Sequence, residues 1–306
     1  MELGMNKNTP NLFIVGAQKS ATTSLYNYLK EHPNIFFSSE KEPNYFTTFF
    51  DTFPHNGPYD KRYDKNVIGS AEEYYKLFSN YSGQKYIAES SVHYLYFNGL
   101  AYKLKEESPD AKIIISLRNP IERAYSAYTY YVSRGRESES FREAIQNENH
   151  RMLNNYEVGW YYIAQGLYYQ KVKDYLEVFG RENVHIVLFD EIKDDLEGTL
   201  KNIYKFLEVD PVTINNTEKK YNVSGTPKNK ITKVIASPLK AKSLAKKYLP
   251  TPMANKLKDY YFKILEKNLA KTELSVSDKE YLKSVYETDI KKLSVLIEKD
   301  LNHWLE

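Results

Sequence analysis

The strongest constraint on this chain is the run NLFIVGAQKSATTSLYNYL, from Asn11 to Leu29. Four apolar residues, Leu12 to Val15, stop at Gly16, and a polar loop with one cation, Lys19, follows. Thr22, Thr23 and Ser24 then open an amphipathic stretch (Leu25, Tyr28, Leu29) that Pro33 closes. This order reads as a buried strand, a tight turn and a helix. The first N–H groups of a helix have no internal partner and its dipole is positive there, so the junction suits a phosphate. Small residues from Ser20 through Ala21 to Ser24 let an anion approach the backbone, and the hydroxyls can donate to it. The bland alternative is an ordinary strand–helix turn with one solvated lysine.

The turn is not the nucleotide-triphosphate loop G-x-x-x-x-G-K-[ST]. Lysine comes three residues after the glycine, the second glycine is absent, and Lys19-Ser20 lies inside the loop. A lysine placed there leans over what lies beyond a helix-bound phosphate. That suits transfer of a group carried on one phosphate better than a β,γ-phosphate cradle with Mg²⁺.

Similar apolar runs recur at Asn34 to Phe37, Lys85 to Ser91, Ile113 to Leu117 and Val184 to Phe189, with helical patterns between them. Ile113 to Leu117 is nearly continuous, as expected of a parallel strand buried on both faces. Predicted helices cover Glu72 to Phe78, Leu100 to Glu107, Ser140 to Glu148, Gly166 to Phe179, Leu196 to Leu207 and Asp278 to Leu305. The expected fold is α/β: one parallel sheet flanked by helices, with a P-loop-like turn after the first strand. We read residues 1–306 as one domain, with 1–9 as a flexible tail.

In parallel α/β sheets the chemistry gathers at the strand ends. Glu42 follows the second strand, and Pro43 is expected to hold it on an extended backbone. Glu42 is the candidate general base, with Lys41 beside it; the alternative is a solvated charged loop. Residues 47–70 read as a surface excursion bordering a cleft. The strand ending at Glu89, Ser90 and Ser91 leads to His93, which is either a second candidate base or structural. Trp160 to Tyr162 either line the cleft or belong to the core. Candidate acceptor-binding residues are therefore Lys41, Asn44, Glu89, Ser91, His93 and Tyr162.

The second informative stretch is KIIISLRNPIERAYSAYTYYV, Lys112 to Val132. Asn119 and Pro120 make a helix start, cap then first position. Arg118 is left at the strand's end, and Ser126 lies about two turns into the helix. Both can serve one anion, Arg118 by its fork and Ser126 by its hydroxyl. Otherwise Arg118 pairs with a nearby carboxylate. Arg123 is assigned to packing or surface pairing.

Two anion sites at the ends of two strands suggest a ligand with two separated phosphates. The pair GAQKSATTSL and LRNPIERAYSAY resembles the cofactor loops of the PAPS-dependent sulfotransferases. The closer likeness is to the branch of the heparan-sulfate sulfotransferases and their bacterial relatives. KEPNYF, AESSVHYL, VHIVLFDEI, NVSGTPKNK and the ending DIKKLSVLIEKDLNHWLE match in the same order. The resemblance implies that Lys19, Ser20, Ala21, Thr22, Thr23 and Ser24 bind the 5′-phosphosulfate, with Lys19 near the bridging oxygen. It implies that Arg118 and Ser126 hold the 3′-phosphate, and that Thr226 to Lys230, above all Lys228, close over it. Glu42 matches the base on the acceptor hydroxyl. PAPS would be the donor, PAP the product, with no metal. The chain departs from the pattern at Asn44, where the heparan-sulfate enzymes often carry histidine, and at Glu89 to Tyr94, which lacks their lysine and proline. That points away from a heparan-like acceptor.

The expected activity is sulfonate transfer from PAPS to a hydroxyl, or an amine, of a carbohydrate or glycolipid. The competing classes are a P-loop nucleotide kinase and a non-catalytic binder of nucleotide or anionic polymer. With 43 basic and 40 acidic residues the net charge is +3, which argues against a general nucleic-acid binder. Absence of cysteine excludes disulfides and thiol chemistry. The apolar runs are strand-sized and the first residues are polar, so the expectation is a soluble cytoplasmic protein. Between Lys219 and Lys258 stand eleven lysines and no acid. This segment is either a solvated face or a contact with an anionic acceptor or membrane surface.

Overall fold

The computed structural model describes residues 8–213 and 273–306, together with the backbone of Thr226–Pro227 and Leu269–Ala270. Its centre is β1 (Leu12–Gly16), buried along its whole length. The chain continues through α1 (Thr22–Lys30), β2 (Ile35–Phe37), a 3-10 turn at Tyr45–Phe49, α2 (Lys61–Asp64), α3 (Ala71–Lys76) and β3 (Tyr86–Ser90). Next come α4 (Leu100–Glu107), β4 (Lys112–Leu117), α5 (Pro120–Ser133), α6 (Phe141–Gln146), α7 (Glu148–Leu153) and α8 (Tyr169–Phe179). The order then runs β5 (Val184–Leu188), α9 (Phe189–Asp194), α10 (Leu196–Phe206), β6 (Thr226–Pro227), β7 (Leu269–Ala270) and α11 (Val276–Ile297).

The main sheet has five parallel strands in the order β2-β3-β1-β4-β5. Alternation along β1 sends Phe13 and Val15 into one core layer and Leu12 and Ile14 into the other. The first layer packs against α5, α8 and α11, and the second against Leu25 and Leu29 of α1 and Leu200 and Ile203 of α10. This explains the near-continuous apolar runs: each central strand is covered on both faces. From β1 the chain crosses to one side of the sheet, and from β4 to the other. The carboxyl ends of β1 and β4 therefore border the crevice at which such sheets bind ligands.

The helix start at Asn119 forms as read: its side chain accepts from the Ile121 N–H at 3.0 Å, and Pro120 is the first helical residue. The last helix differs. Ser275 caps it by accepting from the Asp278 N–H at 3.1 Å, and it ends at Ile297, with a separate 3-10 turn at Asn302–Leu305. The stretch 47–70 runs mostly over the surface, as read, but His55 and Asp60 turn inward. Asp60 is fully buried because it bonds across a long sequence distance to Trp160, and His55 is nearly so because Asp64, within the same segment, holds its ring. Thr226 falls in β6, antiparallel to β7. Lys228, Lys230, the tail 1–7 and most of 219–258 lie outside the described residues.

Candidate active site

Gly16 ends β1 where no side chain fits. A Cβ there would stand 2.8 Å from both the Val92 carbonyl oxygen and Leu95 Cβ. The chain then turns through Lys19 and Ala21, both with positive φ (70° and 63°), and Ala21 leads into α1. No side chain caps that helix, so its first N–H groups face the turn without the usual partner. Thr22 is buried and Thr23 half-buried at this end, beside the buried Ser20. The Ser116 hydroxyl, one strand over, donates to the Ser20 carbonyl and fixes the turn against β4.

Lys19 carries the electrostatic signature. The protein packed around its ammonium, and then Arg134, Arg118 and Arg123, lower its pKa to about 7, with Glu42 acting in the opposite direction. Its Nζ lies 4.3 Å from the centroid of the Tyr130 ring. Three arginines around one lysine form a field that a polyanion would relieve.

Arg118 joins the two loops. Its Nη1 donates to the Lys19 carbonyl at 3.4 Å, while Nε and Nη2 reach Glu122 Oε2 at 3.1 and 2.8 Å. The guanidinium stacks over Phe189 at 4.4 Å. The carboxylate pairing considered from sequence is thus present, on the side chain one helical turn along. Ser126 is buried on α5. Arg123 is fully buried, with Nη2 donating to the Tyr162 carbonyl, so of its two expected roles packing is the one observed.

Glu42 does not sit on extended backbone. Its φ is 59°, and that of Asn44 is 51°. The turn is forced by what holds it: the Glu42 N–H donates to the Ser90 carbonyl at 3.0 Å, and Asn44 Nδ2 donates to the Glu42 carbonyl at 2.9 Å. The Asn44 N–H donates to Ser91 Oγ at 3.1 Å, and Ser91 Oγ donates to Glu89 Oε1 at 2.5 Å. Glu89, fully buried, also accepts from Tyr74 and Tyr94; burial raises its pKa to about 7 against those three hydrogen bonds. Asn44, Ser91 and Glu89 are therefore supports beneath Glu42 and do not face a cleft. Glu42 keeps 38% side-chain exposure and pairs with Lys41, which is 22% exposed.

His93 is 4% exposed, with Nδ1 3.1 Å from the Tyr63 hydroxyl and Nε2 3.4 Å from Gln18 Nε2. Burial lowers its pKa. A neutral ring that donates from Nδ1 and accepts at Nε2 holds Gln18, next to Lys19, and leaves neither nitrogen for a substrate proton. Tyr162 is also core: it is fully buried and its hydroxyl donates to Glu137 at 3.0 Å.

Sequence reasoning missed two groups. Tyr130 and Arg134 stand beside Lys19, with Arg134 Cζ 4.2 Å from the Tyr130 centroid. The only signal was their place on α5, one and two turns beyond Ser126. The other group is centred on Asp60, which accepts from Trp160 Nε1 and the Glu157 N–H at 2.9 Å each and pairs with Arg136. Nothing local in the sequence marks it.

A family model described as "Sulfotransferase family" matches residues 10–213. A sulfotransferase of known crystal structure from Alicyclobacillus acidocaldarius is 32% identical, superposes with a TM-score of 0.78, and is covered over 99% of its chain by 97% of this one. Carbohydrate sulfotransferase 15 of Mus musculus is 26% identical over 67% of this chain and 44% of its own length. Heparan sulfate glucosamine 3-O-sulfotransferase 6 of Mus musculus is 24% identical over 71% of this chain and 56% of its own. The chain thus spans about half the length of these curated relatives. Among the described residues no helix is long and apolar enough to cross a membrane.

Proposed function

This chain belongs to the sulfotransferase family, and from that premise we propose that it moves a sulfonate group from PAPS to a hydroxyl of a carbohydrate. The observation that carries the reading is Lys19, set at the uncapped start of α1 within a field of three arginines. That donor set fits a ligand with two phosphate groups. Lys19 and the Ser20–Ser24 turn would hold the 5′-phosphosulfate, and Arg118 with Ser126 the 3′-phosphate. The Nη1 contact of Arg118 with the Lys19 carbonyl couples the two. The names of the two curated relatives support a carbohydrate acceptor.

When bound, PAPS supplies the sulfonate: its sulfur bonds to the acceptor oxygen as the bond to the 5′-phosphate oxygen breaks, leaving PAP. Glu42 takes the proton of the attacking hydroxyl, for which its exposed carboxylate is suited. Lys19 offsets the charge that develops on the leaving oxygen. Glu89, Ser91 and Asn44 fix the turn on which Glu42 stands, and His93 fixes Gln18 beside Lys19.

Calorimetric titration with PAP, against 5′-AMP and against ATP with Mg²⁺, tests this. PAP should bind and 5′-AMP should bind far more weakly. Arg118→Ala should weaken PAP roughly ten- to a hundredfold, the range for hydrogen bonds to charged groups. Binding of ATP with Mg²⁺ in place of PAP would turn the assignment to a nucleotide kinase.

A further inference from the structure

We propose that Arg134 is a second cation of the transfer centre and contacts the non-bridging oxygens of the sulfonate. The proposal rests on the cofactor reading above. Arg134 Cζ and Lys19 Nζ lie 4.2 and 4.3 Å from the centroid of one ring, that of Tyr130. Arg134 is also the first of the charges that depress the Lys19 ammonium, so the two cations act on one region, where a single anion would relieve both.

Arg134 is also uncommitted. Arg118, Arg136, Arg142, Arg151 and Arg181 each pair with a carboxylate, whereas Arg134 has no such partner among the described residues. Its Nε is buried without a hydrogen-bond acceptor, an arrangement that costs free energy until an acceptor arrives. The neighbouring groups are already engaged. Arg118 holds Glu122 by two nitrogens and both ring nitrogens of His93 are occupied, while Arg123, whose Nε and Nη1 also lack acceptors, is fully buried with its Nη2 on the Tyr162 carbonyl.

A guanidinium fork matches two oxygens of a planar or tetrahedral oxyanion, which a lysine cannot do. Lys19 would stand at the oxygen that leaves with the phosphate. Arg134 would hold oxygens that stay on sulfur, whose bonds are neither made nor broken, and so orient the group for attack. The competing role is structural: Arg134 is the C-cap of α5, where a cation is favoured by the helix dipole.

The two roles separate without any acceptor, because PAPS carries the sulfonate and PAP does not. Dissociation constants for both, measured at low temperature and below pH 7, where Lys19 is charged in either protein, in the wild type and in Arg134→Gln, give the answer. Contact with the sulfonate predicts PAP affinity within about twofold of wild type and PAPS affinity about tenfold weaker, with partial recovery in Arg134→Lys. An unchanged PAPS-to-PAP ratio in Arg134→Gln, whether both affinities hold or both fall, would overturn the proposal. Failure of the wild type to bind PAP would remove the cofactor reading and this proposal together.

Discussion

The turn after β1 and the turn that carries Glu42 meet at one place and are built in opposite ways. Around Lys19 three arginines outweigh the one carboxylate that acts on it, Glu42, and of those arginines only Arg118 pairs with a carboxylate, Glu122. Around Glu42 the charges are mixed: Lys41 pairs with it, and its backbone is tied through Asn44 and Ser91 to the buried Glu89. The first turn tolerates an electrostatic cost that a ligand would relieve. The second holds a half-buried carboxylate, paired with Lys41, on a backbone with positive φ at Glu42 and Asn44. One side is poised to receive an anion, and the other to keep one proton acceptor in place.

The largest expected effect breaks the comparison at the proton acceptor. In Glu42→Gln, transfer measured with PAPS and an acceptor identified by screening should fall about 10²- to 10⁴-fold, the usual weight of general-base catalysis. PAP affinity should stay within twofold, since Glu42 belongs to the other side. Transfer near the wild-type rate would remove Glu42 from the mechanism.

The next test concerns stability. Asp60, fully buried, takes hydrogen bonds from Trp160 and the Glu157 backbone and pairs with Arg136. Asp60→Ala should lower the free energy of unfolding by about 3 kcal/mol, because it leaves buried donors unpaired. Glu157 still pairs with Arg136 and limits the loss. Lys19→Met should instead keep wild-type stability or gain some, since it removes a desolvated cation from among cations. Urea unfolding of the two variants side by side would sink the contrast if Lys19→Met lost as much as Asp60→Ala.

The same contrast decides what could be read from sequence. The strand–turn–helix at Leu12 to Lys30 and the Asn119-Pro120 start are local, so apolar runs, small residues and a cap residue announce them. The Lys19 side was legible for that reason. The Glu42 side is assembled from residues far apart in the chain, such as Asn44 with Ser91 and Asp60 with Trp160. Position at a strand end drew attention to Glu89, Ser91 and His93 but could not say which way they face. Burial turned all three from acceptor contacts into supports. Pro43 suggested an extended Glu42, and the hydrogen bonds to Ser90 and from Asn44 overrode it. Arg134 was hidden because an arginine near a helix end is ordinary until its neighbour Lys19 is placed.

The smallest expected effect is a pH dependence, and it tests whether the field around Lys19 is real. In the free protein Lys19 titrates near pH 7, far below its ordinary 10.5, through burial and then Arg134, Arg118 and Arg123. Bound phosphate would favour the charged ammonium and raise that pKa. Well below pH 7 the lysine is charged before and after binding, so it makes no contribution to the pH dependence of PAP affinity. Above pH 7 the free lysine has lost its proton and must regain one on binding, so affinity falls as pH rises. Between pH 7 and 8 the fall is about fivefold, and it steepens toward tenfold per pH unit, the limit for one proton taken up, only further above the pKa. Calorimetry in buffers of different ionisation enthalpy would report that proton directly. Lys19→Met should show no such uptake, and Arg134→Gln should move its onset to higher pH, since Arg134 is the foremost charge acting on Lys19. A wild-type affinity that is flat across this range would mean that Lys19 stays charged in the free protein and that the two turns differ less than their charges suggest.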